Sequence, residues 1–302
     1  MKRVLITGGT GFVGRHCIPF LKQRGFEVFA LSSKPHLASP GITWMQCDLL
    51  STPSLTKCMT LVAPTHLLHL AWNVIPGKFW TSPDNLKWLK VSIDLVEAFA
   101  EQGGKRIVAA GTCAEYDWNA TEFSEAATIC RPHSLYGACK SALHMILESL
   151  AMQKGFSQAW GRIFYLYGPH EYPERFIPSI IQGILEKKRV PCTHGNQIRD
   201  FLYVEDVASA FAALLESDVQ GAVNIGSGEG IAVKDVVKII GAYLEGTEFV
   251  NLGAIPLPLH EPSQMIANTS RLNGELHWKP KFCLENGLHH TVEWWKKECR
   301  RR

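Results

Sequence analysis

No apolar run in this 302-residue chain approaches the length of a membrane span, so a helical membrane protein is excluded as a reading. The start, MKRVLITGG, carries two basic residues, but its apolar run is short and breaks into glycine. It reads as a first strand and not as a signal peptide. The nine cysteines (17, 47, 58, 113, 130, 139, 192, 283 and 299) contain no Cys-x-x-Cys pair. An odd, unpatterned set excludes a zinc ribbon or a disulfide framework and fits reduced thiols, hence a cytoplasmic location. The formal net charge of +3 is too small for a nucleic-acid binder, and the basic KKECRR end reads as a short helical tail. Repeats, low-complexity tracts and flexible linkers are missing as well. What remains, with 46% hydrophobic and 20% charged residues, is an ordinary globular composition long enough for a large core and two lobes.

The apolar pattern is regular. RVLIT, EVFAL, ITWMQ, THLLHLA, RIVAAG and QAWGRIF read as strands, and helical stretches fall between them near 12–24, 51–62, 84–103 and 134–154. Strands alternating with helices predict a doubly wound α/β fold, a parallel sheet covered on both faces. From about 166 the pattern loosens, with a helix ending near 187 and others near 205–216, 231–245 and 285–298.

Strand one runs into GGTGFVGRH. Gly9, Gly11 and Gly14 fit a dinucleotide fingerprint, and Gly8, Gly11 and Gly14 give an overlapping spacing. Glycine there permits a tight turn and close approach of the backbone to a pyrophosphate seated on the helix N-terminus. An NAD-binding chain usually places a carboxylate at the end of strand two, for the ribose 2′-hydroxyl. This chain has Ser32, Ser33 and Lys34 there, with Arg15 after Gly14. Two hydroxyls and two cations suit a 2′-phosphate, so NADP is the expected cofactor, with NAD as the alternative.

In SLYGACKSAL, residues 134–143, Tyr136 and Lys140 stand one helical turn apart on a shared face, near a helix start capped by Ser134. Leu135, Cys139, Leu143, Ile146 and Leu150 recur around them at helical spacing, which predicts a largely buried helix. An adjacent cation and a helix N-terminus both favour phenolate, so the pair is a candidate acid–base device.

The turn TGGTGFVG, the Tyr136-x-x-x-Lys140 pair, RIFYLYGP and IRDFLYVEDVA, in that order, resemble the extended short-chain dehydrogenases/reductases. That group holds nucleotide-sugar epimerases, dehydratases and ketoreductases, and the resemblance covers nearly the whole chain. It implies a Rossmann-type domain over 1–165, rejoined by segments near 202–225, and a smaller, partly discontinuous substrate lobe over 166–302. It also implies roles. Thr112 bonds the reacting oxygen, Tyr136 is the acid–base, and Lys140 holds the nicotinamide ribose and lowers the tyrosine pKa. Gly8, Gly11 and Gly14, with Phe12 and Val13 between them, form the cofactor turn. Asp48, followed by Leu49, meets the adenine, and Ala71 lies on the loop passing the ribose. Arg199 binds the substrate diphosphate; read from the residues alone, it is equally a structural arginine paired with Asp200.

Three departures from the family pattern shape the functional expectation. Where 4,6-dehydratases follow the threonine with Asp–Glu, this chain has Cys113 and Ala114, with Glu115 one residue later, which does not fit dehydration. Tyr165 stands where many UDP-sugar epimerases carry a phosphate-binding asparagine. A second diphosphate arginine near 258 is missing, so either Arg175 or His170 holds the nucleotide or the substrate is not a standard UDP-hexose. The expected activity is NADP(H)-dependent reduction of a nucleotide-activated keto sugar, a 4-keto-6-deoxyhexose. The alternatives are an NAD-dependent nucleotide-sugar 4-epimerase and an idle cofactor sensor on the same fold. The expected substrate is a nucleoside-diphosphate sugar, with Thr112, Tyr165, Arg175 and Arg199 touching it and Trp72 and Trp118 near it. A homodimer through helices 84–103 and 134–154 is expected, with no metal, nucleic acid or membrane partner.

Overall fold

The strand–helix alternation builds one seven-stranded sheet in the computed structural model, which describes residues 2–36, 39–120, 122–258 and 261–301. In chain order come β1 (Arg3–Thr7), α1 (Phe12–Gln23), β2 (Glu27–Ser32), β3 (Thr43–Gln46), α2 (Thr52–Val62) and β4 (His66–His69). They are followed by α3 (Asp84–Glu101), β5 (Arg106–Thr112), α4 (Leu135–Lys154) and β6 (Ser157–Ile163). The second half holds β7 (Tyr165–Tyr167), α5 (Phe176–Leu185), β8 (Val190–Pro191), β9 (Ile198–Arg199), β10 (Phe201–Tyr203), α6 (Val204–Glu216) and β11 (Gly221–Ile225). The chain ends with β12 (Ile231–Ala232), α7 (Val233–Leu244), β13 (Val250–Asn251), β14 (Gln264–Met265), α8 (Ser270–Gly274) and α9 (Leu284–Cys299).

The sheet order is β11-β6-β5-β4-β1-β2-β3, and every pairing in it is parallel. This is the expected Rossmann-type doubly wound α/β fold. Side chains alternate across it. Val4 and Ile6 of β1 join one core with Cys17, Ile18 and Leu21 of α1 and Phe211 of α6. Leu5 joins the other with Leu55 of α2, Leu95 of α3 and Leu143 of α4. Because both faces are covered, β5 is buried at all seven positions.

The chain leaves β1 outward to β2 and β3, then crosses back to β4, β5 and β6. The order therefore reverses between β1 and β4, and the crevice at their carboxyl ends is where such sheets bind ligands. A third core, of Ile180, Ile184, Val237, Ile240, Leu288 and Trp295, packs α5, α7 and α9 together. Among the described residues, no helix is long and apolar enough to cross a membrane.

Candidate active site

Two glycines of the first turn are required by space. Gly8 has φ +70°, and an added Cβ would lie 2.9 Å from Ala71 N. At Gly14 a Cβ would lie 2.1 Å from the Gly8 carbonyl oxygen, so no side chain fits where α1 passes the turn. The α1 N-terminus has no side-chain cap and no acid in its first turn. Its backbone N–H groups are therefore open to an anion, and the turn fits a dinucleotide pyrophosphate.

The adenosine end is placed by strand register. Ser32 of β2 stands opposite Gln46 of β3, and Cys47 N donates to Ser32 O at 2.8 Å. Ser33 and Lys34 therefore leave the same sheet edge as Asp48 and Leu49. Ser32 and Leu49 are buried; Ser33, Lys34 and Asp48 are exposed. Asp48 caps its own turn through Leu50 N at 3.0 Å. Arg15 donates to Thr10 O at 2.7 Å and Gly11 O at 3.3 Å, so part of its guanidinium is spent on the turn itself.

A cavity of about 470 Å³ joins this turn to the rest of the site. It is lined by Gly8, Gly11, Phe12, Val13, Gly14 and Ala71, and also by Thr112, Tyr136, Lys140, Tyr165 and Arg175. Trp72 and Trp118 line it too; His170 and Arg199 do not. Helix α4 starts where expected, since Ser134 Oγ accepts from Gly137 N at 3.1 Å. Its buried stripe is rotated from the expected one, however. Tyr136, Lys140, Leu143, Leu147 and Ala151 are buried, whereas Leu135, Ile146 and Leu150 are only partly so. The phenol and ammonium thus lie on the packed face, because Gly137 lets α4 close against the Ala114 carbonyl, where a Cβ would come within 2.4 Å.

Packing reverses the expected electrostatics of the pair. Burial pushes the Tyr136 phenol up, with the Thr112 hydroxyl opposing, so the protein by itself holds it protonated. Burial likewise pulls Lys140 down to about 7, with the Glu115 charge opposing. Lys140 is 3% exposed and donates from Nζ to Ala110 O at 2.8 Å, under the Trp72 ring at 4.0 Å. Tyr136 meets Phe79 edge-on at 4.9 Å and Trp80 at 5.9 Å.

Two buried networks hold this arrangement, and neither shows a motif in the sequence. Ser92 Oγ donates to Trp88 O at 2.6 Å and so accepts from His69 Nε2 at 2.9 Å. That leaves Nδ1 to accept from Thr7 Oγ1 at 2.7 Å, a neutral tautomer consistent with burial pulling His69 down to about 3. Thr7 Oγ1 in turn accepts from Leu70 N and Ala71 N, both at 3.2 Å, which fixes the loop after β4. In the second network, Asn85 Oδ1 accepts from Trp72 Nε1 at 2.8 Å while its Nδ2 donates to Phe79 O and Ser82 O. Asn85→Leu keeps the volume but strands these groups. It is expected to lower stability by about 2–4 kcal/mol, read as a lower urea midpoint at unchanged slope.

Two expectations for charged residues meet different surroundings. Arg199 does not enter the cavity. It pairs with Glu261, donates to Pro262 O at 2.9 Å and Ile198 O at 2.7 Å, and lies over the Tyr165 ring at 5.4 Å. Nor does Asp200 pair with it: that carboxylate accepts from Ser227 N and Oγ, Gly228 N and Ala267 N. Glu115, beside Thr112, is equally committed. It is fully buried, accepts from Thr112 N at 2.8 Å and Trp160 Nε1 at 2.9 Å, and pairs with Arg162 Nε at 2.8 Å. With both oxygens engaged, it is not free for elimination chemistry. Arg175 lines the cavity, donates from Nη2 to Val74 O at 3.2 Å and lies over the Phe79 ring at 5.1 Å.

A glycine turn at a sheet switch point, opening into a cavity with Thr, Tyr and Lys on one wall, defines an NAD(P)-dependent enzyme of the extended short-chain dehydrogenase type. More narrowly, the chain belongs to the NAD dependent epimerase/dehydratase family, which it matches over residues 4–226. It is 27% identical over 327 residues to UDP-glucuronate 4-epimerase 4 of Arabidopsis thaliana, covering 97% of this chain and 75% of that one. To dTDP-D-glucose 4,6-dehydratase of Mus musculus it is 26% identical, covering 98% and 89%. Among solved structures, UDP-glucose 4-epimerase of Thermus thermophilus in complex with NAD superposes with a TM-score of 0.84 at 25% identity, covering 97% and 99%.

Proposed function

We propose that this protein is a nucleotide-sugar 4-epimerase that works on a UDP- or dTDP-linked hexose with a retained NAD. The carrying observation is the composition of the cavity wall. Thr112, Tyr136 and Lys140 converge on it, while Glu115, three residues after Thr112, is locked to Arg162. That set supports proton and hydride exchange at one carbinol carbon and does not support loss of water. Similarity to 4-epimerases, one of them solved with NAD, supports this reading over reduction of a keto sugar.

The chemistry supplied by a bound nicotinamide is reversible storage of a hydride. Tyr136 handles the proton: its oxygen accepts the C4 hydroxyl proton on oxidation and returns it on reduction from the opposite face. Thr112 Oγ1 holds the same substrate oxygen. Lys140 sits one turn along α4, where its buried charge attracts the ribose hydroxyls and the phenolate form of Tyr136. The aromatic walls of Trp72, Phe79 and Trp80 exclude water, so the ketone stays bound between the two transfers.

The test is incubation with UDP-glucose, UDP-glucuronate and dTDP-glucose without added cofactor, followed by proton NMR. The C4 epimer is expected, with NAD recovered from the denatured protein and no net reduced cofactor. NADPH bound at least tenfold more tightly than NADH, with turnover of a keto sugar only, would replace this reading by the reductase. That second reading has its own support. The end of β2 carries no carboxylate, Lys34 and Ser33 are exposed there, and a protonated Tyr136 is the form that donates to a ketone. We also propose a homodimer through α3 and α4, whose outer faces expose Leu86, Met145 and Met152. Sedimentation velocity is expected to give about twice the chain mass.

A further inference from the structure

Among the described residues, few buried side-chain nitrogen or oxygen atoms have no hydrogen-bond partner, and two of them belong to residues lining the cavity that holds Tyr136. They are Glu171 Oε2 and Trp118 Nε1. Unpaired buried polar atoms are rare because each costs about 1–3 kcal/mol, and in native proteins they mark strain, chemistry or a missing ligand. One here is an acceptor and the other is an obligate donor.

Both sit at defined places on the cavity wall. Glu171 follows a turn in which Gly168 has φ +153° and His170 has φ +71°. His16 on α1 bonds Pro169 O at 3.2 Å, and Glu171 N donates to Gly168 O at 3.4 Å. Trp118 is wedged between Trp80, edge-on at 5.9 Å, and His133 at 5.6 Å.

We propose that Glu171 and Trp118 are specificity residues for the sugar, Glu171 Oε2 meeting one hexose hydroxyl and the Trp118 indole N–H donating to another oxygen of the same ring. The inference rests on the nucleotide-sugar reading and deepens it. A neutral polyol is the ligand that satisfies both atoms without adding charge. A cationic group would face Arg175 and Lys140, and a further anion would face the carboxyl itself. Burial pushes the Glu171 carboxyl up to about 8, with the Arg175 charge opposing, so near neutral pH it is mostly the uncharged acid, which both donates and accepts. An aromatic wall beside paired hydroxyl-binding groups also suits the apolar C–H face of a hexose.

The experiment compares wild type, Glu171→Leu, Glu171→Gln and Trp118→Phe with the nucleotide sugar that the wild type turns over, and titrates each protein with NADH and NADPH. The expected result is a fall in kcat/KM of about ten- to a hundredfold for Glu171→Leu and about tenfold for Trp118→Phe, with cofactor dissociation constants unchanged. Glu171→Gln, neutral and able to donate and accept, is expected to recover at least tenfold over Glu171→Leu. Wild-type kcat/KM in either Glu171→Leu or Trp118→Phe overturns the inference, as does a loss confined to cofactor binding. A wild type inert toward every nucleotide sugar removes the proposed function and this inference together. A wild type that works beside an equally active Glu171→Leu removes the inference alone.

Discussion

Tyr136→Phe is expected to fold and bind cofactor normally while losing about two to four orders of magnitude in turnover. Only one oxygen is removed, and general acid–base transfer is worth roughly that factor. The ring itself stays, so the edge contacts to Phe79 and Trp80 and the bond from Tyr136 N to Trp80 O survive. Loss of a phenol that burial holds protonated also removes an unfavourable titration, so the variant should melt no lower than wild type at alkaline pH. The pH profile gives a second check. In the proposed epimerisation Tyr136 first accepts a proton, so kcat/KM is expected to rise with pH as the phenol ionises and to show no such rise in the variant. Activity within tenfold of wild type in Tyr136→Phe would end the assignment.

The largest effect on stability is expected at Glu115. Its carboxylate joins Thr112 N, Trp160 Nε1 and Arg162 Nε in a fully buried cluster, and Arg162 also donates to Tyr116 Oη at 3.1 Å. Glu115→Gln leaves the Arg162 charge buried without a counter-ion, a change worth about 3–5 kcal/mol. A melting temperature lower by roughly 5–10 °C follows for a chain of this size. Joining Arg162→Met to it removes the stranded charge and is expected to recover more than half of the loss. If the single variant melts within about 2 °C of wild type, the pair is not the strut that positions Thr112.

The features legible in the sequence are those set by neighbours along the chain. Gly8 and Gly14 announce their turn because the steric demand arises within a few residues. Ser134 announces a helix start because a cap acts locally. The Tyr136–Lys140 spacing is one turn of α4, and strand–helix alternation carries the doubly wound sheet. Which stripe of α4 is buried does not follow from its apolar residues, since Gly137 decides the approach and the aromatic loop before α3 covers the dyad.

The long-range partners are hidden for the same physical reason. The family resemblance gives Arg199 to a diphosphate, but the fold brings Glu261 to it from 62 residues away. Glu115 reads only as a carboxylate one residue out of the dehydratase pattern, and the fold brings Arg162 over it from 47 residues on. Thr7, His69 and Ser92 carry no signature, because a hydrogen-bonded chain needs only compatible donors at the meeting point of β1, β4 and α3. The phenol and lysine shifts belong to this class too, since desolvation measures everything packed around a group. The sequence by itself determined the sheet, the glycine turn and the identity of the dyad, all products of local sterics and periodicity. Tertiary structure alone decided which charges remain available in the cavity, because a side chain's availability depends on the partners that folding delivers from distant parts of the chain.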